Sequence, residues 1–153
     1  MKTEGDRTFA APQAVVWDVL NDPAKMAELM PGVQSFEIKD EHNWRANVKV
    51  PLGLGSLAMA IDFEQIEVRA PEYSSLHAKG NGVGAIMNME TSFTLETVEA
   101  GTTMHWAAEV KVLGPVGAMG QRVLQPIIRQ QVDQVLTALD KRVTAEAAGV
   151  PAS

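Results

Sequence analysis

The side chains that most often carry chemistry are dispersed along this chain. His42, His77 and His105 fall at a turn and on strand positions that face solvent, and no His-x-Glu-x-His or related metal spacing occurs. The chain has no cysteine, which excludes thiolate metal sites, thiol catalysis and disulfides. The sequence therefore predicts no metal centre and no cysteine nucleophile.

The carboxylates of the central segment also fail to converge. Asp62, Glu64, Glu90 and Glu96 alternate with apolar residues, so they are predicted to point outward from strands, and no acid–base pair is expected inside. No Gly-x-Ser-x-Gly nucleophile elbow is present. The sequence thus contains no catalytic constellation, and an enzyme is not the first expectation.

Methionine is the most unusual component of the predicted interior. The chain has 8 Met against 4 Phe and 1 Tyr, and flexible thioethers adapt to ligands of more than one shape. Because the strand methionines share one face with several aromatic residues, this surface predicts either a pocket for a hydrophobic small molecule or an ordinary core. The residues expected to line the pocket are Met30, Met59, Ile61, Phe63, Met87, Met89, Phe93, Met104, Trp106, Met119, Val123 and Ile127.

Glycines cluster at residues 51–55 and 80–84. The second cluster superficially resembles a dinucleotide-binding loop, but such a loop opens a helix, whereas the chain from Ala85 onward alternates as a strand. We therefore interpret it as a turn or bulge that lets the sheet bend. A mobile rim over a cavity is the functional alternative.

The hydrophobic period divides the chain into helices and strands. A strand over Thr3 to Phe9 precedes two short helices at 14–20 and 25–30, the second of them capped by Asp22 and stopped by Pro31-Gly32. From Val33 to Leu113 the period is two, which predicts about six antiparallel strands. Their turns are expected at 40–43, 53–55, 70–71 and 100–101.

A long amphipathic helix is predicted after Gly114-Pro115, from about Val116 to Ala145, with a kink at Pro126. A flexible tail is expected at 147–153, so the domain should span residues 1–146. The helix stripe comprises Val123, Leu124, Ile127, Ile128, Val132, Val135, Leu136, Leu139 and Val143. Its polar face comprises Gln121, Arg122, Gln125, Arg129, Gln130, Gln131 and Gln134.

The order of these elements predicts an α+β fold in which a curved antiparallel sheet of about seven strands grips the C-terminal helix. A long helix cannot follow a strongly bent sheet along its whole length, so we expect a cavity between the two. This cavity is the predicted site of function.

The overall charge sets the expected partners. The chain has 153 residues and a net charge of −6 with no basic cluster, which argues against nucleic acid and disfavours anionic lipid surfaces. No segment approaches the roughly 20 apolar residues of a membrane span, and the start lacks the apolar centre of a secretory signal. A cytoplasmic location is expected.

Motifs along the chain resemble those of the CoxG family, the G subunits of carbon monoxide dehydrogenase, over about residues 3 to 142. They are Asn21-Asp22-Pro23, Leu29-Met30-Pro31-Gly32, the Pro71 turn, the run from Gly80 to Gly84, Ala100-Gly101-Thr102, and Gly114-Pro115-Val116-Gly117-Ala118-Met119-Gly120-Gln121-Arg122. Their order and spacing are together more specific than any one of them.

The resemblance implies the helix-grip fold of the START-like, or polyketide cyclase-like (SRPBCC), superfamily, with its hydrophobic cavity. It also implies an accessory protein for a molybdenum hydroxylase of the carbon monoxide dehydrogenase type, serving membrane association or electron delivery through a lipophilic quinone. No cofactor is implied beyond such a quinone or another lipophilic ligand. Contact with the inner face of the membrane would be peripheral and through the partner.

The leading hypothesis is a non-catalytic carrier of a hydrophobic small molecule, such as a quinone or another isoprenoid. A cyclase- or hydrolase-type enzyme in the same cavity is the second hypothesis, and it would need a polar side chain pointing inward. The third is an assembly module that docks the hydroxylase through the amide-rich helix face, without ligand. Candidates for an inward polar group are Tyr73, Asn88 and Thr91.

Overall fold

The alternating segments form one sheet. Two short helices follow its first strand in the chain, and a long helix follows its last strand. The computed structural model describes residues 1–52 and 55–149. The elements in chain order are β1 (Lys2–Phe9), α1 (Gln13–Leu20), α2 (Pro23–Leu29), β2 (Val33–Ile38), β3 (Asn43–Pro51), β4 (Ser56–Arg69), β5 (Tyr73–Gly82), β6 (Ala85–Val98), β7 (Gly101–Leu113), a one-turn 3-10 helix (Gly117–Met119) and α3 (Gln121–Ala147).

The seven strands have the order β1-β7-β6-β5-β4-β3-β2, and every neighbouring pair is antiparallel. The predicted α+β architecture, a seven-stranded antiparallel sheet with a long C-terminal helix and two short helices after the first strand, is confirmed. The first and last strands in the chain, β1 and β7, are neighbours in the sheet. The two edges of the sheet are β1 and β2.

Cross-strand pairs on the inner face bury the aromatic and aliphatic residues that the alternation predicted. Phe63 of β4 lies opposite Trp44 of β3 and Ala78 of β5, and the rings of Trp44 and Phe63 stack with centroids 5.6 Å apart. Such pairs are the unit of sheet stabilisation, because facing side chains remove each other's apolar surface from water.

The short helices begin and end close to the capping, proline and glycine residues that predicted their limits. The Asp22 carboxylate accepts hydrogen bonds from the backbone N–H groups of Ala24 and Lys25, at 3.0 and 3.3 Å, and so caps α2. Val16 and Val19 of α1 are fully buried. The two helices thereby close one end of the sheet.

The C-terminal helix starts later than predicted. The chain from Gly114 to Gly120 is not part of α3, because Gly114 and Gly120 adopt φ values of +88° and +85°, which an α-helix cannot accommodate. Pro126 lies inside α3. Of the expected tail at 147–153, Ala147 is the last residue of α3, and residues 150–153 lie outside the described residues.

α3 is held mainly at its C-terminal half. Its main close backbone approaches are to α1, α2, β1 and the one-turn helix before it, rather than to the central strands. Ion pairs reinforce these contacts: Arg7 of β1 binds Asp140 at 3.0 Å, and Lys25 of α2 binds Glu146 at 3.1 Å. These contacts fix the C-terminal half of α3 against the short helices and the edge strand β1.

Gly117 allows the one-turn helix to lie against the end of β7. A Cβ atom at this position would come within 2.2 Å of the Val112 carbonyl oxygen. We expect Gly117→Ala to lower the free energy of unfolding by about 1–3 kcal/mol through overpacking. Urea denaturation measures this, and a Gly120→Ala variant, which has open space around its Cβ but a positive φ, separates crowding from backbone strain.

His105 links three strands on the outer face of the sheet. It hydrogen-bonds Asp6 of β1 and, at 3.1 Å, Glu96 of β6, and these bonds, that to Asp6 foremost, raise the pKa of His105 above its usual range. Because a raised folded-state pKa stabilises the protein below the unfolded-state pKa, this stabilisation must disappear as pH rises through the folded-state pKa.

We therefore expect His105→Gln to destabilise the protein more at pH about 6 than at pH about 9. Urea midpoints of the variant and the wild type at the two pH values test this. An equal loss of stability at both pH values would show that the charge of His105 does not strengthen its bonds to Asp6 and Glu96.

Candidate functional site

The inner face of the sheet is divided between two buried clusters. The helix-side cluster lies under the C-terminal half of α3 and comprises Phe9, Ala11, Val16, Val19, Leu29, Leu95, Met104, Leu139 and Val143. The sheet cluster lies on β3 to β6 and comprises Trp44, Ala46, Val48, Leu57, Met59, Ile61, Phe63, Ala78 and Ala85. The stretch between these clusters is less completely packed.

Half-buried apolar side chains occupy this stretch. Met87 and Met89 pack against the sheet cluster, whereas Phe93 and Trp106 pack against the helix-side cluster. All four face inward, yet solvent reaches part of each. Ile127 of α3, on the stripe that contains buried Leu124 and Leu139, is also half-buried. We call this set, Met87, Met89, Phe93, Trp106 and Ile127, the inner groove.

The side chains of α3 contribute unequally to this stretch. The helix packs closely against α1, α2 and β1, and in its N-terminal half Leu124 is buried whereas Ile127 is half-buried. Apolar side chains that face each other without full packing leave dispersion contacts unmade, and an apolar ligand can supply those contacts.

Of the twelve predicted pocket residues, the structure buries four, half-buries six and exposes two. Met59, Ile61 and Phe63 are buried in the sheet cluster and Met104 in the helix-side cluster. Met30 is half-buried against the sheet cluster. Five residues form the inner groove. Met119 and Val123 are exposed at the end of the groove. Contact of any of the twelve with a ligand stays a prediction.

Apolar side chains are exposed around the β5–β6 turn, the end of β7 and the start of α3, and the sequence analysis missed three of them, Val83, Ile86 and Leu113. We call this set, Val83, Ile86, Leu113, Met119 and Val123, the mouth ring. A hydrogen bond of 2.9 Å from the Val116 N–H to the Gly84 carbonyl ties the β5–β6 turn to the segment before α3. The available signal was the position of Ile86 and Leu113, apolar residues on the otherwise polar face of paired strands.

Polar groups near the inner groove are already satisfied by protein partners. The Thr91 hydroxyl donates to the Ala107 carbonyl at 3.0 Å, and the Gln65 amide donates to Asn21 at 2.8 Å and to buried Ser74 at 3.3 Å. Groups engaged in this way are structural rather than free to bind a reacting atom.

The other two candidates for an inward polar group lie elsewhere. The Tyr73 ring is covered by the Arg69 guanidinium, 4.4 Å from its centroid, and borders the outer face. Asn88 alternates with Met87 and Met89 and so points outward, opposite Lys79 and Lys111. Neither side chain contributes to the inner groove.

Charged groups with displaced pKa values also lie away from the groove. The Arg45 guanidinium holds the pKa of Asp62 below its usual range on the outer face of β4. Within residues 1–52 and 55–149, no group of three His, Asp or Glu side chains is arranged to hold a metal ion. The five residues of the inner groove are thus all apolar, and none of them is titratable.

A separate depression of about 520 Å³ lies on the opposite face of the sheet. It is bordered by Tyr73, Ser75, His77, Glu90 and Glu109, which alternate with the inward residues. Its border mixes charged and polar side chains with the apolar Ile66, Leu76, Ala107 and Ala108. All five residues of the inner groove are apolar, so we assign the candidate site of a hydrophobic ligand to the inner groove.

The chain matches the CoxG family, described as the G subunit of carbon monoxide dehydrogenase, over residues 5–144. This confirms the resemblance that the sequence motifs indicated. No curated protein matches the chain.

Solved structures with the same fold include a conserved protein from Geobacillus kaustophilus, with 20% identity, a TM-score of 0.87, and coverage of 94% of this chain and 95% of that one. The Zhui aromatase/cyclase from Streptomyces sp. R1128 has 16% identity, a TM-score of 0.71 and coverage of 99% of both chains. A START superfamily protein from Mycobacterium smegmatis has 13% identity, a TM-score of 0.69, and coverage of 94% and 97%. These similarities establish the START-like fold.

The two methionine environments predict different mutational costs. Met104 is 4% exposed in the helix-side cluster, so Met104→Ala should lower the free energy of unfolding by about 2–5 kcal/mol. Met89 is half-buried beside the groove, so Met89→Ala should cost about 1 kcal/mol. Urea denaturation compares them. Equal losses of unfolding free energy in the two variants would contradict the incomplete packing of Met89 in the inner groove.

Proposed function

The chain belongs to the CoxG family of carbon monoxide dehydrogenase subunits, and from this premise we propose that it is a non-catalytic carrier of a lipophilic small molecule. The ligand would lie in the inner groove, between α3 and the central strands. The observation that carries this proposal is the half-buried apolar lining formed by Met87, Met89, Phe93 and Trp106 on the inner face of the sheet.

The size of the interaction limits the affinity. Removing roughly 300 Å² of apolar ligand surface from water, at about 25 cal/mol per Å², yields at most about 7 kcal/mol before the cost of association. Micromolar or weaker binding is therefore expected. This suits a carrier, because the ligand must leave as readily as it enters.

A quinone or another isoprenoid is the ligand class that we propose. Met87 and Met89 can adapt to an elongated chain, and Phe93 and Trp106 provide aromatic surfaces for a ring. The family assignment supports a molybdenum-containing hydroxylase of the carbon monoxide dehydrogenase type as the partner, with this chain as its accessory protein.

The absence of a free polar group among the groove residues described above supports carriage rather than catalysis. A cyclase or hydrolase needs a side chain that can move a proton at the substrate, but Thr91 and Gln65 are engaged in hydrogen bonds with the protein. The similarity to an aromatase/cyclase is a similarity of fold, at 16% identity.

The site of action that we propose is the cytoplasmic side of the membrane, beside the hydroxylase. Among the described helices, none combines the length and hydropathy needed to span a bilayer.

The carrier function predicts that the protein purified from its native host contains a ligand. Solvent extraction and mass spectrometry of the wild type should detect a lipophilic molecule, and the Met89→Glu variant should retain less than about a tenth of it, since a carboxylate in an apolar groove repels the ligand. Ile38→Glu, on the exposed edge strand β2, is the matched control and should retain the full amount.

An empty extract from wild-type protein of normal thermal stability would contradict the carrier function. Equal ligand content in the Met89→Glu and Ile38→Glu variants would place the ligand outside the inner groove. Addition of ubiquinone-type or menaquinone-type probes to delipidated protein then compares ligand classes directly, with quenching of tryptophan fluorescence as the readout and a Trp106→Phe variant to identify the contribution of Trp106.

A further inference from the structure

Two hydrogen-bond donors beside the inner groove have no protein partner. One is the Thr3 hydroxyl on β1, and the other is the indole N–H of Trp106 on β7. Within residues 1–52 and 55–149, neither group takes part in a side-chain hydrogen bond. Thr3 is only 7% exposed, so its uncommitted hydroxyl belongs to a buried residue.

Both donors are accessible to a small molecule. In the part of the chain that the structure describes, the one fully buried side-chain nitrogen or oxygen without a partner is Arg142 Nε. The Thr3 hydroxyl and the Trp106 Nε1 also lack partners, so each of these atoms lies at least partly on accessible surface. A donor in such mostly buried surroundings gains free energy when a ligand supplies an acceptor.

The register of the sheet places both donors next to groove residues. Thr3 pairs with Ala108 of β7, and Ala108 pairs with Thr91 of β6. Trp106 precedes Ala108 by two residues, and Met89 precedes Thr91 by two, so all of these side chains share the inner face. Small side chains thus form a cross-strand row between the indole of Trp106 and the thioether of Met89.

Gly5 lets the N–H edge of the indole lie over β1. Gly5 pairs with Trp106, and a Cβ at Gly5 would lie 3.0 Å from Cζ2 and 3.3 Å from Nε1 of the ring. Thr3 and Gly5 are neighbouring inward positions, about 7 Å apart along a strand. The two donors therefore lie at the same side of the groove. We call Thr3, Trp106, Ala108 and Thr91 the donor corner.

The chemistry of the donor corner favours a ligand with acceptor oxygens. The Thr3 hydroxyl can donate or accept a hydrogen bond, whereas the indole N–H of Trp106 can only donate. Neither group exchanges protons with a substrate as a histidine or a carboxylate does, so the corner binds and does not catalyse. Ala108 and Thr91 are small, which leaves room for a flat ring beside the indole.

We propose that the donor corner binds the carbonyl oxygens of a quinone ring and prefers the oxidised quinone to its reduced form, the quinol. The inference rests on the proposed function, since it takes the ligand of the inner groove to be a quinone. Reduction adds two electrons and two protons and converts both carbonyl oxygens into hydroxyl groups. A quinol hydroxyl is a weaker acceptor than a carbonyl, and the Trp106 N–H cannot accept its proton.

A neutral ring with acceptor oxygens suits this corner better than other lipophilic molecules. A fatty acid would bring a carboxylate to a site whose nine lining residues, the inner groove and the donor corner together, include no Lys, Arg or His. An isoprenoid hydrocarbon would leave both donors without an acceptor. The preference for the oxidised ring also gives the carrier a direction, because it holds the quinone and releases the quinol.

Equilibrium dialysis of delipidated protein measures this preference with three probes. They are a benzoquinone with a short alkyl tail, the corresponding quinol kept reduced by dithionite, and an alkylbenzene with the same tail. The chain has no cysteine, so the reductant acts on the probe and on no thiol or disulfide of the protein. We expect the wild type to bind the quinone at least about fivefold more tightly than the quinol, as one neutral hydrogen bond allows.

Two variants each remove one donor. Thr3→Val keeps the branched shape of the side chain and Trp106→Phe keeps an aromatic face. Each should lower the affinity for the quinone, relative to the alkylbenzene, by about threefold to tenfold. The matched controls are Thr137→Val, on the exposed side of α3, and Trp44→Phe, in the sheet cluster. Both controls should keep the wild-type ratio, and thermal midpoints verify that every variant is folded.

The outcomes distinguish this inference from the carrier function. A wild type that binds the quinone and the quinol equally would overturn the donor corner, and so would a Thr3→Val variant that loses affinity for the quinone and the alkylbenzene alike. Both results leave the carrier function in place. A quinone preference that depends on Thr3, together with an empty extract from the native host, would support the corner and contradict the carrier function. Binding of none of the three probes would overturn both.

Discussion

One helix must cover the inner face of a sheet that is longer and more curved than the helix can follow. α3 is secured at one end, where Leu139 and Val143 pack with Phe9 and Met104 and ion pairs join it to β1 and α2. The other half of the sheet buries itself through its own cross-strand pairs, of which Trp44 and Phe63 are the centre. The half-buried residues of the inner groove lie between these two parts of the interior.

The same division separates stability from function. Substitutions in the helix-side cluster act on folding, because that cluster joins elements that are distant in the chain. The inner groove lies where packing is incomplete, so substitutions there should cost the fold less. A carrier needs this arrangement, since a fully packed interior has no room for cargo.

The fold was predictable from the sequence because alternation, proline and glycine all indicated the same elements. The start of α3 was placed too early, since periodicity alone does not reveal that Gly114 and Gly120 require positive φ values. The groove residues were predicted as one lining, but whether Met59 packs fully and Met87 partly depends on where α3 is attached. Of the mouth ring, Met119 and Val123 were predicted, whereas Ile86 and Leu113 were missed because they lie on the face that alternation assigns to water.

The adjacency of the first and last strands has a consequence during synthesis. The strand partner of β1 is β7, about a hundred residues later in the chain, as in the pair Lys2 and Glu109. While the ribosome is still making β2 to β6, the nascent β1 has no partner and one sheet edge stays open. The chain therefore carries a long-range closure step that comes late, and a chaperone or the ribosome surface would protect that edge until β7 emerges.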